Sequence, residues 1–294
     1  MTDVAVVLMA YGSPERVEDV PAYYADIRNG RPIRPELLDD LAERYRRLGI
    51  EDGSPLNAIT EQTRAALEQE LDLPVYTGMK HWEPRIAAAV EAALAGGART
   101  IVGLVLAPHY SRLSVGEYRE KLERALAARA ELAFVESWHG AEGFVDFLAD
   151  RVRGAAGHVV FTAHSLPARI LAEGDPYQDQ LLETATQIAR RAALHEWSFS
   201  YQSESPTGEP WLGPDILDHL DQLRGRGVER VLLCPIGFVA DHLEIRWDLD
   251  TEAAEKAREL GLELERIEMP NADPRFVRVL AGLVRAALAE RVAA

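Results

Sequence analysis

His164 stands directly after the apolar run VVFTA and just before Ser165, Leu166 and Pro167. Proline suits the first turn of a helix, so His164 falls in a strand-to-helix turn at the carboxyl edge of a sheet. An imidazole there can take a proton near neutral pH or offer a nitrogen to a metal; it can equally satisfy turn backbone groups. Glu244, Asp248 and Glu252 follow a second apolar run, VLLCP, at spacings of four. On a helix they make one carboxylate stripe, whose like charges cost about a few tenths of a kcal/mol per pair unless a cation bridges them. A metal path and a solvated helix face both fit that stripe, and Asp241 with Glu244 also reads as a capping box. Tyr11 ends the first apolar run, in MAYGSP, at the place that matches His164. It can serve as an oxygen ligand, a stacking platform or a packed phenol with its hydroxyl bonded.

Lys80 and His81 in GMKHWEP, and Ser203 in YQSES, also end strands. They can bind acidic groups or cap the helices that follow. His109 in LAPHYS reads as a satisfied turn residue. Arg28, Arg31, Arg34, Arg44, Arg46 and Arg47 crowd one polar stretch, followed by Ser54 in GSPL. In a chain of formal net charge -16 they form a local positive rim. Arginine forks suit carboxylates, while pairing of Arg44 and Arg47 with Asp40 or Glu43 on a solvent-facing helix is the other reading.

These residues need elements to hold them. Short β-branched runs predict strands at 4–9, 75–78, 101–106, 133–136, 159–162, 197–201, 231–235 and 263–267. Amphipathic stretches predict helices at 35–48, 61–71, 83–95, 115–128, 177–191 and 214–224. The expected fold is α/β, with two Rossmann-like domains, each a parallel sheet flanked by helices. The halves read as a pseudo-repeat: VVLMAYGSP matches VVFTAHSLP, VYTGMKHWEP matches FSYQSESP, and IVGLVLAPHYS matches VLLCPIGFVADH. The first domain is expected at 1–142 and the second at 143–270, with a helix at 274–292 packing back on the first. The first half carries about thirty extra residues, at about 17–55, read as a lid or wall over the sheet edge where ligands bind.

At 294 residues, 47% hydrophobic and 27% charged, the chain has a soluble globular composition of about two domains. That excludes a disordered tail, a collagen-like fibre and a disulfide scaffold. Cys234 alone can form neither an intramolecular disulfide nor a CxxC site, which points to the cytoplasm. The acidic balance disfavours nucleic acid and anionic lipid. No apolar run approaches the ~18 residues of a membrane span, and no basic region precedes the apolar opening as in a secretory signal. GxxxxGK[ST], GxGxxG and GxSxG are all missing, so the expected crevice holds something other than their usual ligands.

MAYGSP, SPLNAITEQT, GMKHWEP, LAPHYS with SVGEY, TAHSLP, GDPY, YQSES with PWLGPD, PIGFVADHLEIRWDLD and MPNADP run in that order along almost the whole chain. Together they resemble the ferrochelatase family, in particular the soluble coproporphyrin-type enzymes of Gram-positive and related bacteria. The resemblance implies insertion of Fe(2+) into coproporphyrin III held between two Rossmann-like domains. His164 is then the group that removes pyrrole protons or receives the metal. Glu244 faces it, Asp248 and Glu252 continue the acidic path, and Tyr11 approaches the macrocycle from the other side. The implied metal set is His164, Glu244, Asp248, Glu252 and Tyr11. The implied substrate set is Tyr11, Arg28, Arg31, Arg46, Ser54, Lys80, His81, Tyr118, Ser203 and Trp211. Arg44 or Arg46 matches an arginine near an outer divalent-cation site.

The resemblance further implies a monomer without organic cofactor, and handover of product to a coproheme decarboxylase. An iron–sulfur cluster, carried by some relatives, needs more than one cysteine. The polar, arginine-bearing segment ERVEDVPAYYADIRNGRPIRP replaces the apolar lip of membrane-associated protoporphyrin enzymes, which favours a substrate with four carboxylates over one with two. The alternatives are a protoporphyrin IX or other tetrapyrrole chelatase, and a porphyrin carrier without chemistry. A carrier has no use for a carboxylate route opposite His164.

Overall fold

The strand β1 (Val4–Ala10) is apolar throughout, and Val6, Val7, Leu8 and Met9 are fully buried, as expected of a strand covered on both faces. It pairs in parallel with β2 (Val75–Met79) on one side and β3 (Thr100–Val105) on the other, and β4 (Glu131–Val135) continues from β3. The order is β2-β1-β3-β4. The second half repeats it. There β5 (His158–His164), β6 (Trp197–Gln202), β7 (Arg230–Pro235) and β8 (Glu263–Arg266) form a parallel sheet in the order β6-β5-β7-β8. In each sheet the chain first steps one way from the central strand and then crosses to its other side. The crevice at that switch opens beyond the carboxyl ends of β1 and β3, and of β5 and β7. Tyr11 follows β1, and His164 is the last residue of β5.

This computed structural model describes residues 3–50, 53–205 and 208–293. Glu51 and Asp52 of the expected insertion, and Pro206 of the YQSESP turn, lie outside the described residues. Helices α1 (Val20–Ile27), α2 (Pro35–Arg47) and α3 (Pro55–Leu71) link β1 to β2. The insertion is therefore helical, with a small core of its own in which Val20, Tyr45 and Ile50 pack with Leu243 of the second half. α3 begins earlier than the hydrophobic pattern alone indicates, because Ser54 caps it and Pro55 opens its first turn.

Helices α4 (Ile86–Ala95), α5 (Glu117–Leu126) and α6 (Glu142–Val152) follow, then α7 (Arg169–Ala172), α8 (Tyr177–Ala192), α9 (Ile216–Gly225), α10 (Ala254–Leu260) and α11 (Pro274–Ala293). Two expected α-helical stretches open as π-helix instead, at Arg112–Gly116 before α5 and at Ile245–Ala253 before α10. The acidic residues after β7 thus lie on a π-helix, with Glu244 at its start. A spacing of four still makes almost one turn there, so Glu244, Asp248 and Glu252 keep a common face.

Polar bonds tie the halves together. The loop after β3 donates from Tyr110 N to Gln180 Oε1 at 2.7 Å, and from Ser111 Oγ and Arg112 N to Asp175 Oδ2 at 3.0 and 2.8 Å. His109 Nε2 bonds Thr184 Oγ1 at 3.0 Å. Apolar contact does the rest, because α11 packs on α3, β3, β4 and α6. Phe276 of α11 meets Trp138, Phe144 and Phe147 at ring-centroid distances of 6.0, 6.4 and 6.3 Å. Phe276→Ala is expected to lower stability by roughly 3–5 kcal/mol. Urea unfolding followed by tryptophan fluorescence measures it, and a loss below about 1 kcal/mol contradicts this account of the core.

Candidate active site

A cleft of about 380 Å³ lies between the carboxyl ends of the two sheets. Its wall includes seven of the expected residues: Tyr11, Ser54, Lys80, His81, Tyr118, His164 and Glu244.

His164 is fixed on three sides. Its carbonyl accepts from the Tyr177 hydroxyl at 3.0 Å, and its ring packs near Trp211 and Phe238, each 6.4 Å away between centroids. Its Nδ1 bonds the Ser165 carbonyl. A carbonyl only accepts, so this bond assigns a proton to Nδ1. Nε2 stands 3.8 Å from Glu244 Oε2. His242 repeats the arrangement: Nδ1 bonds the Ala240 carbonyl at 2.9 Å, and Nε2 stands 3.6 Å from the same Glu244 oxygen. Two imidazoles thus turn their Nε2 atoms toward one carboxylate, at distances too long for hydrogen bonds but short for electrostatic contact. The expectation of a capping box at Asp241 and Glu244 is not met. Asp241 instead accepts from Arg266 and Asn271, and Glu244 makes no side-chain cap.

The carboxylates differ in protonation. Burial pushes Glu244 upward, yet His164, His242 and Arg44 outweigh it and bring its pKa down to about 2. Its side chain is 36% exposed, to the cleft. Asp248, only 6% exposed, is pushed up to about 7, first by burial and then by the charges of Glu244 and Glu252. Ser203, at a left-handed φ of 64°, donates its hydroxyl to Asp248 Oδ2 and so works against that rise. At neutral pH Glu244 is an anion and Asp248 is near its midpoint, a separation of roles that environment alone imposes on like groups. Arg44 Nη1 reaches to 4.0 Å from Asp248 Oδ1. The guanidinium groups of Arg44 and Arg47 lie 5.1 and 4.9 Å from the centre of the Trp247 ring, which fastens α2 to the π-helix.

Tyr11 is 38% exposed, into the cleft, and burial of the surrounding wall followed by the Glu244 charge raises its hydroxyl pKa far above the usual value. It is a neutral phenol. Its ring lies 4.6 Å from that of His81, whose Nδ1 is 2.8 Å from Asp26 Oδ2. Burial brings His81 down to about 4 against the pull of Asp26, so its ring is neutral at pH 7. Lys80 is buried, with Nζ 2.7 Å from Glu117 Oε2 and over the rings of Tyr11 and Tyr118. Desolvation lowers its pKa and Glu117 counters it. Ser54 lines the cleft while capping α3.

The other expected residues stand elsewhere. Arg28 and Arg31 lie at and beyond the end of α1, outside the cleft wall, Arg31 exposed and Arg28 half-buried. Arg46 pairs with Glu43 at 3.4 Å on the surface; the arginine that reaches the acidic segment is Arg44, which also holds Asp40 at 3.0 Å. Ser203 serves Asp248, and Trp211 backs His164. Among the described residues no three His, Cys, Asp or Glu side chains are gathered to cage a metal; the five expected ligands are strung out. His242, which had no expected role, was signalled only by its place two residues before Glu244. Glu117 and Tyr177 likewise line the cleft without having been expected there.

The fold is shared with a solved structure, SirB from Bacillus subtilis with Fe3+, at a TM-score of 0.60 and 12% identity, over 97% of this chain and 96% of that one. A ferrochelatase from Herpetosiphon aurantiacus is 44% identical, over 95% of this chain and 97% of the relative. A coproporphyrin III ferrochelatase from Halalkalibacterium halodurans is 40% identical, over 98% of both chains. The ferrochelatase family profile matches residues 3–288. Built on two repeated parallel sheets with an imidazole facing a carboxylate in the cleft between them, the chain belongs to the ferrochelatase family of metal-inserting enzymes.

Proposed function

We propose that this protein inserts Fe(2+) into coproporphyrin III. The observation that carries this reading is the Nε2 of His164 facing the ionised Glu244 within a cleft between two sheet edges. Metal insertion exchanges one Fe(2+) for two pyrrole protons. His164 Nε2 is a base of the right kind to accept the first. Glu244 offers the anionic oxygen that draws the incoming metal from its water, and hard carboxylate oxygens hold such a cation without trapping it. Asp248 and Glu252 extend the carboxylates along the π-helix and provide a graded route for metal inward and protons outward. An outer divalent cation near Asp248, Glu252 and Arg44 belongs to the same reading. Tyr11, a neutral phenol on the opposite side, is suited to press on the macrocycle; a rigid cleft that bends the ring turns a pyrrole lone pair toward the metal.

Four-carboxylate selectivity is supported by the polar character of the cleft mouth. Lys80 and Lys121 line the wall, and Arg28, Arg31 and Arg34 crowd the stretch beside Asn29, which also lines it. The relatives named coproporphyrin III ferrochelatase point the same way.

Burying Asp248 next to Glu244 opposes folding and is explained by use, since such perturbed groups concentrate at functional sites. The unfolded Asp248 carboxyl titrates near 3.8 and the folded one near 7. The folded state therefore binds the extra proton between those values, and stability falls as pH rises through that window.

His164→Ala and Glu244→Gln are each expected to lower kcat by about 10²–10⁴-fold while porphyrin still binds. Stopped metalation with retained fluorescence quenching supports the assignment; binding with parental turnover rejects it. Coproporphyrin III should exceed protoporphyrin IX in kcat/KM by about ten-fold or more, as befits paired carboxylate recognition. The reverse order in an anaerobic iron-insertion assay would mean a protoporphyrin enzyme. Asp248→Asn is expected to stabilise the fold at pH 8 by on the order of 1–3 kcal/mol, with little gain at pH 4, while slowing metalation. Urea titrations at the two pH values read this directly, and an equal or opposite change at both would contradict the raised pKa.

A further inference from the structure

Arg266 ends β8, on the far side of Asp241 from the cleft, and its side chain is 17% exposed. Its Nε donates to Asp250 Oδ1 at 2.7 Å and its Nη2 to Asp250 Oδ2 at 2.9 Å, a two-pronged grip on the π-helix. The same Nη2 donates to Asp241 Oδ1 at 3.0 Å, and Nη1 to the Ile267 carbonyl at 2.9 Å. Asn271, from the MPNADP motif, holds Asp241 from the other direction. Its Nδ2 donates to Asp241 Oδ2 at 2.9 Å, its Oδ1 accepts from Asp241 N at 2.8 Å, and its own N–H donates to the Val239 carbonyl at 2.8 Å. Asn271 makes these contacts from a left-handed backbone, φ 48°. Arg266, Asp241 and Asn271 line a separate cavity of about 440 Å³ and none of them lines the cleft.

The two carboxylates gripped by one guanidinium, Asp241 and Asp250, bracket His242, Glu244 and Asp248. We infer that Arg266 and Asn271 are positioning residues, which hold the segment 241–250 so that Glu244 and Asp248 keep their stations opposite His164. The inference rests on the function proposed above. Two features make an outside tie necessary. The π-helix departs from the usual helical hydrogen-bond register, and its N-cap, Glu244, makes no side-chain cap. Without the guanidinium, Asp241 and Asp250 would also be like charges without their shared cation. A lysine cannot replace it, because one ammonium cannot grip a carboxylate with two parallel bonds while reaching a second.

The test uses the full chain with Arg266→Gln, Arg266→Lys and Asn271→Ala. Steady-state iron insertion into coproporphyrin III is measured beside hydrogen–deuterium exchange of the free proteins. Both arginine variants are expected to lose about ten- to a hundred-fold in kcat, the cost of a displacement on the order of 1 Å, with porphyrin KM within about two-fold. Faster exchange should be confined to 237–253. Parental kcat in either soluble arginine variant overturns the inference, as does full rescue by lysine. So does faster exchange throughout the second half with kcat and KM moving together, the mark of a general structural loss. Should the arginine variants not fold, Asn271→Ala removes one leg of the bracket only and is held to the same split, with a fall of about three- to ten-fold. A parent protein that inserts no metal overturns the functional reading itself; local exchange at 237–253 in the variants then still reports whether the bracket holds that segment.

Discussion

The site depends on one close approach. Where the chain leaves β7 it crosses the end of β5, and a Cβ on Gly237 would lie 2.6 Å from the Cβ of Ala163, so only hydrogen fits. Gly237 N–H also donates to the Thr162 carbonyl at 3.2 Å. This contact lays the loop that carries His242 and Glu244 directly beside His164. A larger residue at 237 would lift the loop, and with it the carboxylate, away from the imidazole. The rest of the second half can be seen as support for that crossing: β5 supplies the histidine, β7 aims the loop, and the π-helix continues it outward with the acids on one face.

The first half contributes the opposite wall through the same topology. β1 ends at Tyr11 as β5 ends at His164, and β2 delivers Lys80 and His81 where β6 delivers Ser203. The matched ends have diverged in chemistry. One side holds a neutral imidazole, a buried ammonium and a phenol; the other holds a second imidazole and a column of carboxylates. A flat ligand between them would therefore meet two polar rings and an ion-paired ammonium on one face and carboxylates on the other. Such asymmetry suits a reaction in which a cation arrives from a single direction.

Much of this was legible in the sequence. Apolar β-branched runs such as VVLM and VVFTA are long enough to be strands and too apolar to be exposed ones, so both sheets and their repetition could be read, though not the order of strands within them. His164 and Glu244 could be singled out because each follows such a run. Other features were hidden for physical reasons. Spacing cannot tell an α-helix from a π-helix when acids recur every four residues, because the hydrogen-bond register leaves no mark on polar periodicity. Nor can it say which arginine of α2 turns inward: Arg44 and Arg46 differ by two positions, about half a turn, and the packing of Trp247 against Arg44 and Arg47 decides it. Asp241 has the spacing of a capping residue, but its real partners, Arg266 and Asn271, lie 25 and 30 residues further on.

The helix α11 carries a consequence for how the chain is made. Its Leu280, Ala281 and Val284 share one core with Val6 and Leu8 of β1 and Leu67 of α3, near the opposite end of the sequence. Emerging from a ribosome, the first sheet keeps the part of that face under α11 uncovered until that helix has been synthesised. The early half is thus a client of the late one, exposed to aggregation for the whole interval between them, and the two repeats mature as one body even though each has the strand order of a self-sufficient unit.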